Sequence, residues 1–95
     1  MQPTAIWEVP IGAKYPLGFK WTGQDLPTGT TIVSATSAVT PLTGLAVEQP
    51  SVNNEFDGVY FWATASVAGD YYILIVATRS DGGRNVETGL VQVRA

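Results

Sequence analysis

The sequence contains neither histidine nor cysteine. Without these side chains a Ser-His-Asp or Cys-His nucleophile cannot be assembled, and ordinary zinc ligation is excluded as well. Disulfide cross-links are also impossible, so cysteine usage gives no information about the redox compartment. The fold must therefore depend on a hydrophobic core, and 95 residues are enough for one modest core in one domain.

Charge is scarce as well. Charged residues make up 14% of the chain, against about 25% in an average soluble protein. The few basic residues are scattered, which predicts no nucleic-acid partner. No apolar run is long enough for a membrane helix, and the first residues lack the pattern of a signal peptide. We expect a soluble protein that is not exported by the usual route, has no membrane partner and keeps some surface away from water.

The acidic residues that could support chemistry lie close together. Glu55 and Asp57 share a turn-forming stretch with Asn53 and Asn54. A hydrolase would need two carboxyls converging in a cleft, and a solvent-exposed turn does not supply one. The same side chains carry oxygen ligands suited to Ca²⁺, but Asn and Asp also suit the backbone conformations that turns require. We expect a turn here, no enzymatic activity, and no metal or cofactor.

Turn-forming residues divide the rest of the chain into short segments with strand patterns. The most apolar segment runs from Tyr71 to Ala77 between Gly69-Asp70 and Asp81-Gly82-Gly83. This spacing predicts an all-β fold, an immunoglobulin-like Greek-key β-sandwich of about seven strands. A tyrosine corner would involve Gly69 with Tyr71 or Tyr72. The predicted strands cover residues 4–9, 17–21, 30–37, 45–49, 59–65, 71–77 and 85–93.

Prolines bracket the N-terminal residues. Pro3 and Pro10 enclose one short apolar segment, and a proline at each boundary is typical of an edge strand. We expect residues 1–16 to form an N-terminal arm or edge strand and residues 17–95 to form the β-sandwich domain. The arm is predicted to pack on a neighbouring subunit or to add a strand to the sandwich. The side chains predicted to make that contact are Ile6, Trp7 and Val9.

Aromatic residues are plentiful, with three tryptophans and four tyrosines. The tryptophans are Trp7, Trp21 and Trp62. Together with the tyrosines they could form a platform that stacks on sugars, as in a carbohydrate-binding module. In a small sandwich such residues more often belong to the core or to a subunit interface. Apolar strands, few charges and many aromatic residues favour an extensive interface with a protein partner.

From Trp21 onward the chain carries short motifs in a fixed order: Leu26-Pro-Thr-Gly-Thr-Thr-Ile-Val-Ser-Ala35, Gly44-Leu-Ala-Val47, Val59-Tyr-Phe-Trp62, Ala68-Gly-x-x-Tyr72 and Thr78-x-Ser-Asp-Gly-Gly-Arg84. The series resembles small immunoglobulin-like accessory structural proteins of tailed bacteriophage virions. These include capsid decoration or cement proteins and adaptors between tail and fibres. The chain departs from that pattern by having Ala-Ser-Val before Ala68 and one extra residue at Gly82-Gly83.

The resemblance implies a head-stabilising subunit that binds the major capsid protein in many copies or as a homo-oligomer. The protein would be located in the virion, which is assembled in the host cytoplasm. A tail adaptor, linking tail and fibres or head and tail, is the first alternative. A carbohydrate-binding immunoglobulin-like module is an alternative of another class.

The resemblance also implies a register for the apolar strand. In that register Tyr72, Leu74 and Val76 face the sandwich core. The opposite face would then be covered by another subunit or by the N-terminal arm. The residues predicted to form this interface are Tyr71, Ile73 and Ile75.

Overall fold

Residues 5–22, 26–41 and 43–94 are described by a computed structural model of the chain. Residues 1–4 of the predicted arm and residues 23–25 of the loop after Trp21 lie outside the described residues. In these ranges the chain forms eight strands, and no helix long and apolar enough to cross a membrane is found there. The strands are β1 (Ala5–Pro10), β2 (Lys14–Lys20), β3 (Ile32–Thr40), β4 (Leu45–Val47), β5 (Ser51–Val52), β6 (Gly58–Ala65), β7 (Gly69–Arg79) and β8 (Arg84–Arg94).

The described strands form two sheets. Sheet A has the order β1-β8-β7-β3, and sheet B has the order β2-β6-β4, with β5 also paired to β6. Strand β1 is parallel to β8, whereas the other paired strands are antiparallel. The prediction of an all-β protein is confirmed, and the two sheets are compatible with a β-sandwich.

The N-terminal residues are built into both sheets. Strand β1 lies at the edge of sheet A, as the flanking prolines indicated. The boundary predicted between residues 16 and 17 falls inside β2, which pairs with β6 along its whole length. The strand that the sequence did not predict is β5, because two residues are too few to show an alternating pattern.

The core lies between the two sheets and is built by alternation along the strands. In β6 the inward side chains Val59, Phe61 and Ala63 are buried, while Tyr60 and Trp62 point to solvent. Strand β2 contributes Leu17 in the same way. Leu26 is partly buried and packs against this core. Other buried core residues include Trp21, Ile32, Leu45, Val91 and Val93.

The register predicted for the apolar strand β7 is wrong. Tyr71, Ile73 and Ile75 were expected to lie outside the sandwich core, covered by another subunit or by the N-terminal arm, but they are buried in the chain's own core. Ile73 and Ile75 have no exposed surface (0%). These side chains belong to the inner face of sheet A, within the same hydrophobic cluster as the inward side chains of sheet B.

Tyr72, Leu74 and Val76, predicted to lie in the core, instead form the outer face of β7. Tyr72 is 44% exposed, and the other two side chains are partly exposed. The physical reason is visible at Asp70, which is exposed and two residues before Tyr72. Because alternate residues of a strand share one face, the charged side chain fixes this face outward.

A tyrosine corner closes the entry into β7. The Tyr71 hydroxyl donates a hydrogen bond to the backbone carbonyl oxygen of Val67 at 2.7 Å. Gly44 lies against the same ring, and a Cβ at that position would overlap the hydroxyl group. The sequence predicted this feature with Tyr71 or Tyr72, and the structure selects Tyr71. The hydrogen bond therefore holds the Tyr71 side chain on the inward face at the start of β7.

Candidate interaction surfaces

The outer side of sheet A carries a broad face without charged side chains, which we call the uncharged face. Its residues form three rows across the strands: Ile6-Leu90-Tyr72-Thr40, then Thr88-Leu74-Ala38, then Val86-Val76-Thr36. Ile6 is 62% and Val86 56% exposed. Large apolar side chains that stay exposed on one face are a sign of an interaction surface.

A groove runs along the middle of the uncharged face. It has a volume of about 450 Å³ and is lined by Ala38, Thr40, Tyr72, Leu74 and Thr88. Small side chains on β3 and in the middle of β8 leave this space, while Tyr72 stands beside it. The more exposed Val86, one row away, forms a ridge with Val76.

Charged side chains border the uncharged face at both ends of the strands. At one end Glu8 and Asp70 lie in register with Gln92, and Arg94 is 4.0 Å from Glu8 and 3.8 Å from Asp70. At the other end Arg84 lies in register with Thr78 and forms no ion pair with any described residue. One border is therefore acidic on balance, and the other is basic.

The outer side of sheet B carries a second surface, which we call the aromatic face: Pro16, Gly18, Tyr60 and Trp62. Pro16 lies opposite Trp62 and Gly18 opposite Tyr60 in the β2–β6 register. Tyr60 is 46% and Trp62 39% exposed. The ammonium group of Lys14 lies 5.4 Å from the centre of the Trp62 ring and 2.8 Å from a carboxylate oxygen of Glu48. The Lys14 ammonium group thus lies near the Trp62 ring, and part of the tryptophan side chain stays open to solvent.

The turn between β5 and β6 is closed by its own side chains. Asn53 donates to the Asp57 carboxylate at 2.7 Å, and its side-chain oxygen accepts from the backbone N–H groups of Asp57 and Gly58 at 3.0 and 3.2 Å. The Asn53 amide, assisted by Lys20, lowers the pKa of Asp57 below its ordinary value. Asp57 and Glu55 in turn raise the pKa of Lys20. The oxygens of Asn53 and Asp57, two of the residues considered as calcium ligands, are therefore engaged in holding the turn.

The β7–β8 hairpin has a similar internal network. Arg79 donates to Asp81 at 3.1 Å and to Asn85 at 2.8 Å. Asp81 also accepts from the backbone N–H of Gly83 at 2.8 Å. The bonds from Arg79 and Gly83 lower the pKa of the Asp81 carboxyl. The turn-forming residues Asp81-Gly82-Gly83 thus lie in a hairpin turn whose polar groups bind one another.

The N-terminal side chains predicted as an interface are divided between the two sides of sheet A. Only Ile6 is on the outer side, in the uncharged face. Val9 is buried in the core, which contradicts its predicted contact with a partner. Trp7 packs edge-on against Phe19 and Phe61, at centroid distances of 5.3 and 6.4 Å.

The reason for the position of Trp7 is a glycine in the neighbouring strand. A Cβ at Gly89 of β8 would overlap the Trp7 ring, so the ring lies directly on the β8 backbone. Trp21 is also internal and donates its indole N–H to Glu87 at 3.0 Å. Two of the three tryptophans considered for a sugar platform are thus inside the sandwich, and Trp62 is the one at the surface.

Sequence reasoning missed the uncharged face. The sequence signal for its position was the spacing of Asp70, Gln92 and Arg94, which lie an even number of residues from the outward residues of their own strands and so share their side of the sheet. Its groove has no sequence signal, because it is formed by three strands whose pairing joins distant parts of the chain. Among the described residues no three His, Cys, Asp or Glu side chains are grouped to hold a metal ion.

Comparison with known proteins adds evidence on the fold alone. No protein-family model matches the chain, and no curated protein matches it. A crystal structure of the cysteine protease inhibitor EhICP2 from Entamoeba histolytica is similar, with a TM-score of 0.60 and 15% identity over 97% of this chain and 87% of the inhibitor. The solution structure of Amebosin matches with a TM-score of 0.45 and 14% identity over 97% and 90% of the two chains. The second likeness is too weak to use, and the first shows a shared fold.

Proposed function

We propose that this chain is a structural subunit of a tailed-bacteriophage virion, a decoration or cement protein that binds the major capsid protein and stabilises the head. The order of motifs from Trp21 onward is the support from sequence. The proposal includes a location in the virion and no enzymatic activity. It makes the chain a binding protein, whose task is to bury surface between neighbours.

The observation that carries the proposal is a pair of open faces on opposite sides of the same sandwich. The uncharged face covers the outside of sheet A, and the aromatic face covers the outside of sheet B. A domain with two opposed binding faces can bridge two neighbours, which is what a cement subunit must do. Aromatic residues are enriched at the centres of protein interfaces, so we assign the capsid contact to the aromatic face with Tyr60 and Trp62.

The proposal extends to topology. An immunoglobulin-like Greek key places the third, sixth and seventh strands in one sheet and the second, fifth and fourth in the other. Sheet A contains β3, β7 and β8 in that arrangement, and sheet B contains β2, β6 and β4. When the short β5 is left out of the numbering, these six strands agree with that arrangement, while β1 lies beside β8 in sheet A and not in the sheet of the second strand. The tyrosine corner at Tyr71 further supports this assignment.

A tail adaptor linking tail and fibres, or head and tail, is the nearest alternative. Copy number separates the two roles. Particles of a phage that encodes the chain should be purified, and the chain measured against the major capsid protein on a quantitative gel. A decoration protein is expected in large copy number over the shell. A single ring of copies at one vertex would support the adaptor, and absence from the particle would refute the virion role.

The aromatic face can be tested on the same particles. Trp62→Ser should abolish binding to expanded capsids that lack the protein, while the variant stays folded. Phe56→Ser is the matched control, because Phe56 is an exposed aromatic residue in a turn outside both faces. Equal loss of binding in the two variants, or full binding by Trp62→Ser, would contradict the assignment of the capsid contact.

The exposed pair Tyr60 and Trp62 also favours one function of another class, a carbohydrate-binding module. Two aromatic rings at alternate positions of one strand lie on the same face and could stack on a glycan. Titration of the free chain with oligosaccharides, followed by tryptophan fluorescence, tests this. Saturable binding that Trp62→Ser abolishes would support the module in place of the virion role.

A further inference from the structure

We infer that the uncharged face of sheet A binds a second copy of this chain, in a two-fold dimer whose axis lies in the interface across the strands. The occupant is a second copy because the face is complementary to itself in shape and in charge. This inference uses only the geometry of sheet A and does not depend on the virion role.

The shape complementarity comes from neighbouring rows. The ridge of Val76 and Val86 lies one row from the groove beside Leu74 and Thr88. A two-fold axis between these two rows sets the ridge of each copy over the groove of the other. Two sheet faces pack about 10 Å apart with interdigitating side chains, which is the spacing that a ridge and a groove require.

The charge complementarity comes from the two borders. The same axis reverses the strand direction between copies. The basic border of each copy therefore lies towards the acidic border of the other. Arg84, which has no ion pair with the described residues, comes over the row of Leu90 and Tyr72 of the second copy, next to the row that holds its Asp70. An axis along the strands would instead place like borders together, and that arrangement is disfavoured.

The size of the face indicates a weak dimer. The three rows of the uncharged face together with the charged row at each end span about 27 Å along the strands and up to about 19 Å across them, so a pair buries at most on the order of 1,000 Å² in total. This is close to the lower limit for a specific interface and corresponds to weak association. The dimer should therefore appear at high concentration, such as that produced on a multi-copy particle.

The first test is sedimentation equilibrium of the isolated chain up to about 1 mM, a concentration suited to weak association. We expect a reversible monomer–dimer equilibrium that Val76→Lys abolishes, since an unpaired charge would be buried at the centre of the contact. Trp62→Ser is the control, because its site lies on the opposite sheet, and it should leave the equilibrium unchanged. A chain that stays monomeric throughout, or a dimer that Val76→Lys leaves intact, overturns the inference.

The second test is a charge exchange between the two borders, which does not alter the apolar contact. Arg84→Glu and Asp70→Arg should each weaken the dimer about two- to fivefold, as is usual for exposed ion pairs. The double variant should recover the wild-type dissociation constant. Asp70 and Arg84 are about 27 Å apart within one chain, so recovery must act between copies. Additive weakening in the double variant would contradict the proposed axis.

A third outcome concerns a different occupant. If the wild-type chain stays monomeric while Val76→Lys loses binding to expanded capsids, the face binds a capsid protein. In that case the dimer is refuted while the virion role is retained. If the chain dimerises as described but is absent from particles, the dimer is retained and the virion role is refuted.

Discussion

Strand β7 presents two faces of similar composition that have opposite environments. The inward face, with Tyr71, Ile73 and Ile75, is buried, whereas the outward face, with Tyr72, Leu74 and Val76, is partly exposed. Hydropathy alone does not separate them, because both faces are apolar. What separates them is the neighbourhood: the inward side chains meet those of sheet B, and the outward ones share their side of the sheet with charged residues at each end.

The comparison teaches that an apolar strand face can be a core or a surface, and that its partners decide which. A buried face is satisfied within the chain. The part of an equally apolar face that stays exposed does not stabilise the monomer, so the free energy of burying that part is available for binding. The predictions below either break this contrast or make it quantitative.

The largest effect is expected from placing a lysine on each face in turn. Ile73→Lys should unfold the isolated domain, because a charge would be buried without a partner. Leu74→Lys, at the adjacent position, should leave it folded, because the long side chain can carry its charge to solvent. Circular dichroism and the dispersion of amide proton signals would report the difference. Unfolding by Leu74→Lys with tolerance of Ile73→Lys would reverse the two faces.

A smaller effect is expected from truncation. Ile75→Ala should lower the free energy of unfolding by about 2–5 kcal/mol, since it removes buried methyl groups and leaves a cavity. Val76→Ala should cost less than about 1 kcal/mol, because its side chain is already partly in water. Urea denaturation of the two variants in parallel measures both values. Similar losses would mean that the outward face is covered within the monomer.

Sequence patterns predicted the all-β class correctly, because turn-forming residues divide the chain into short strand segments. In β6 the alternation separates Phe61 and Ala63 from Tyr60 and Trp62, but it does not decide which face is buried, because both faces carry aromatic residues. In β7 the register was taken from the resemblance. The exposed Asp70, which shares its face with Tyr72, Leu74 and Val76, would have placed that face outward. The lesson is that a single charged residue within a strand carries more information on its register than several apolar residues do.

Other features could not be predicted from local sequence. Trp7 packs inward because Gly89, more than eighty residues away in sequence, leaves space for its ring. The groove of the uncharged face and the charged borders likewise depend on strands that pair across the whole chain. Such sites become visible only when the pairing is known, since the residues that form them are not neighbours in the sequence.

The smallest effect is expected from removing a single hydroxyl group on each face. Tyr71→Phe should lower the free energy of unfolding by about 0.5–1.5 kcal/mol, because the hydrogen bond to the Val67 carbonyl is lost. Tyr72→Phe should change it by less than about 0.5 kcal/mol, as is usual for exposed positions. Thermal unfolding at matched concentrations would measure both. Equal values for the two variants would show that the tyrosine corner does not anchor the register.

The most direct test of the contrast between the two faces uses the absence of cysteine in the natural chain. Tyr72→Cys and Ile73→Cys each introduce a single thiol, whose reaction with a soluble disulfide reagent can be followed without any background. Under native conditions the thiol at position 72 should react about as fast as in the unfolded chain. The thiol at position 73 should react at least about 100-fold more slowly, because it is reached only by opening of the fold. Equal rates, or the reverse order, would contradict the assignment of the buried and open faces of β7.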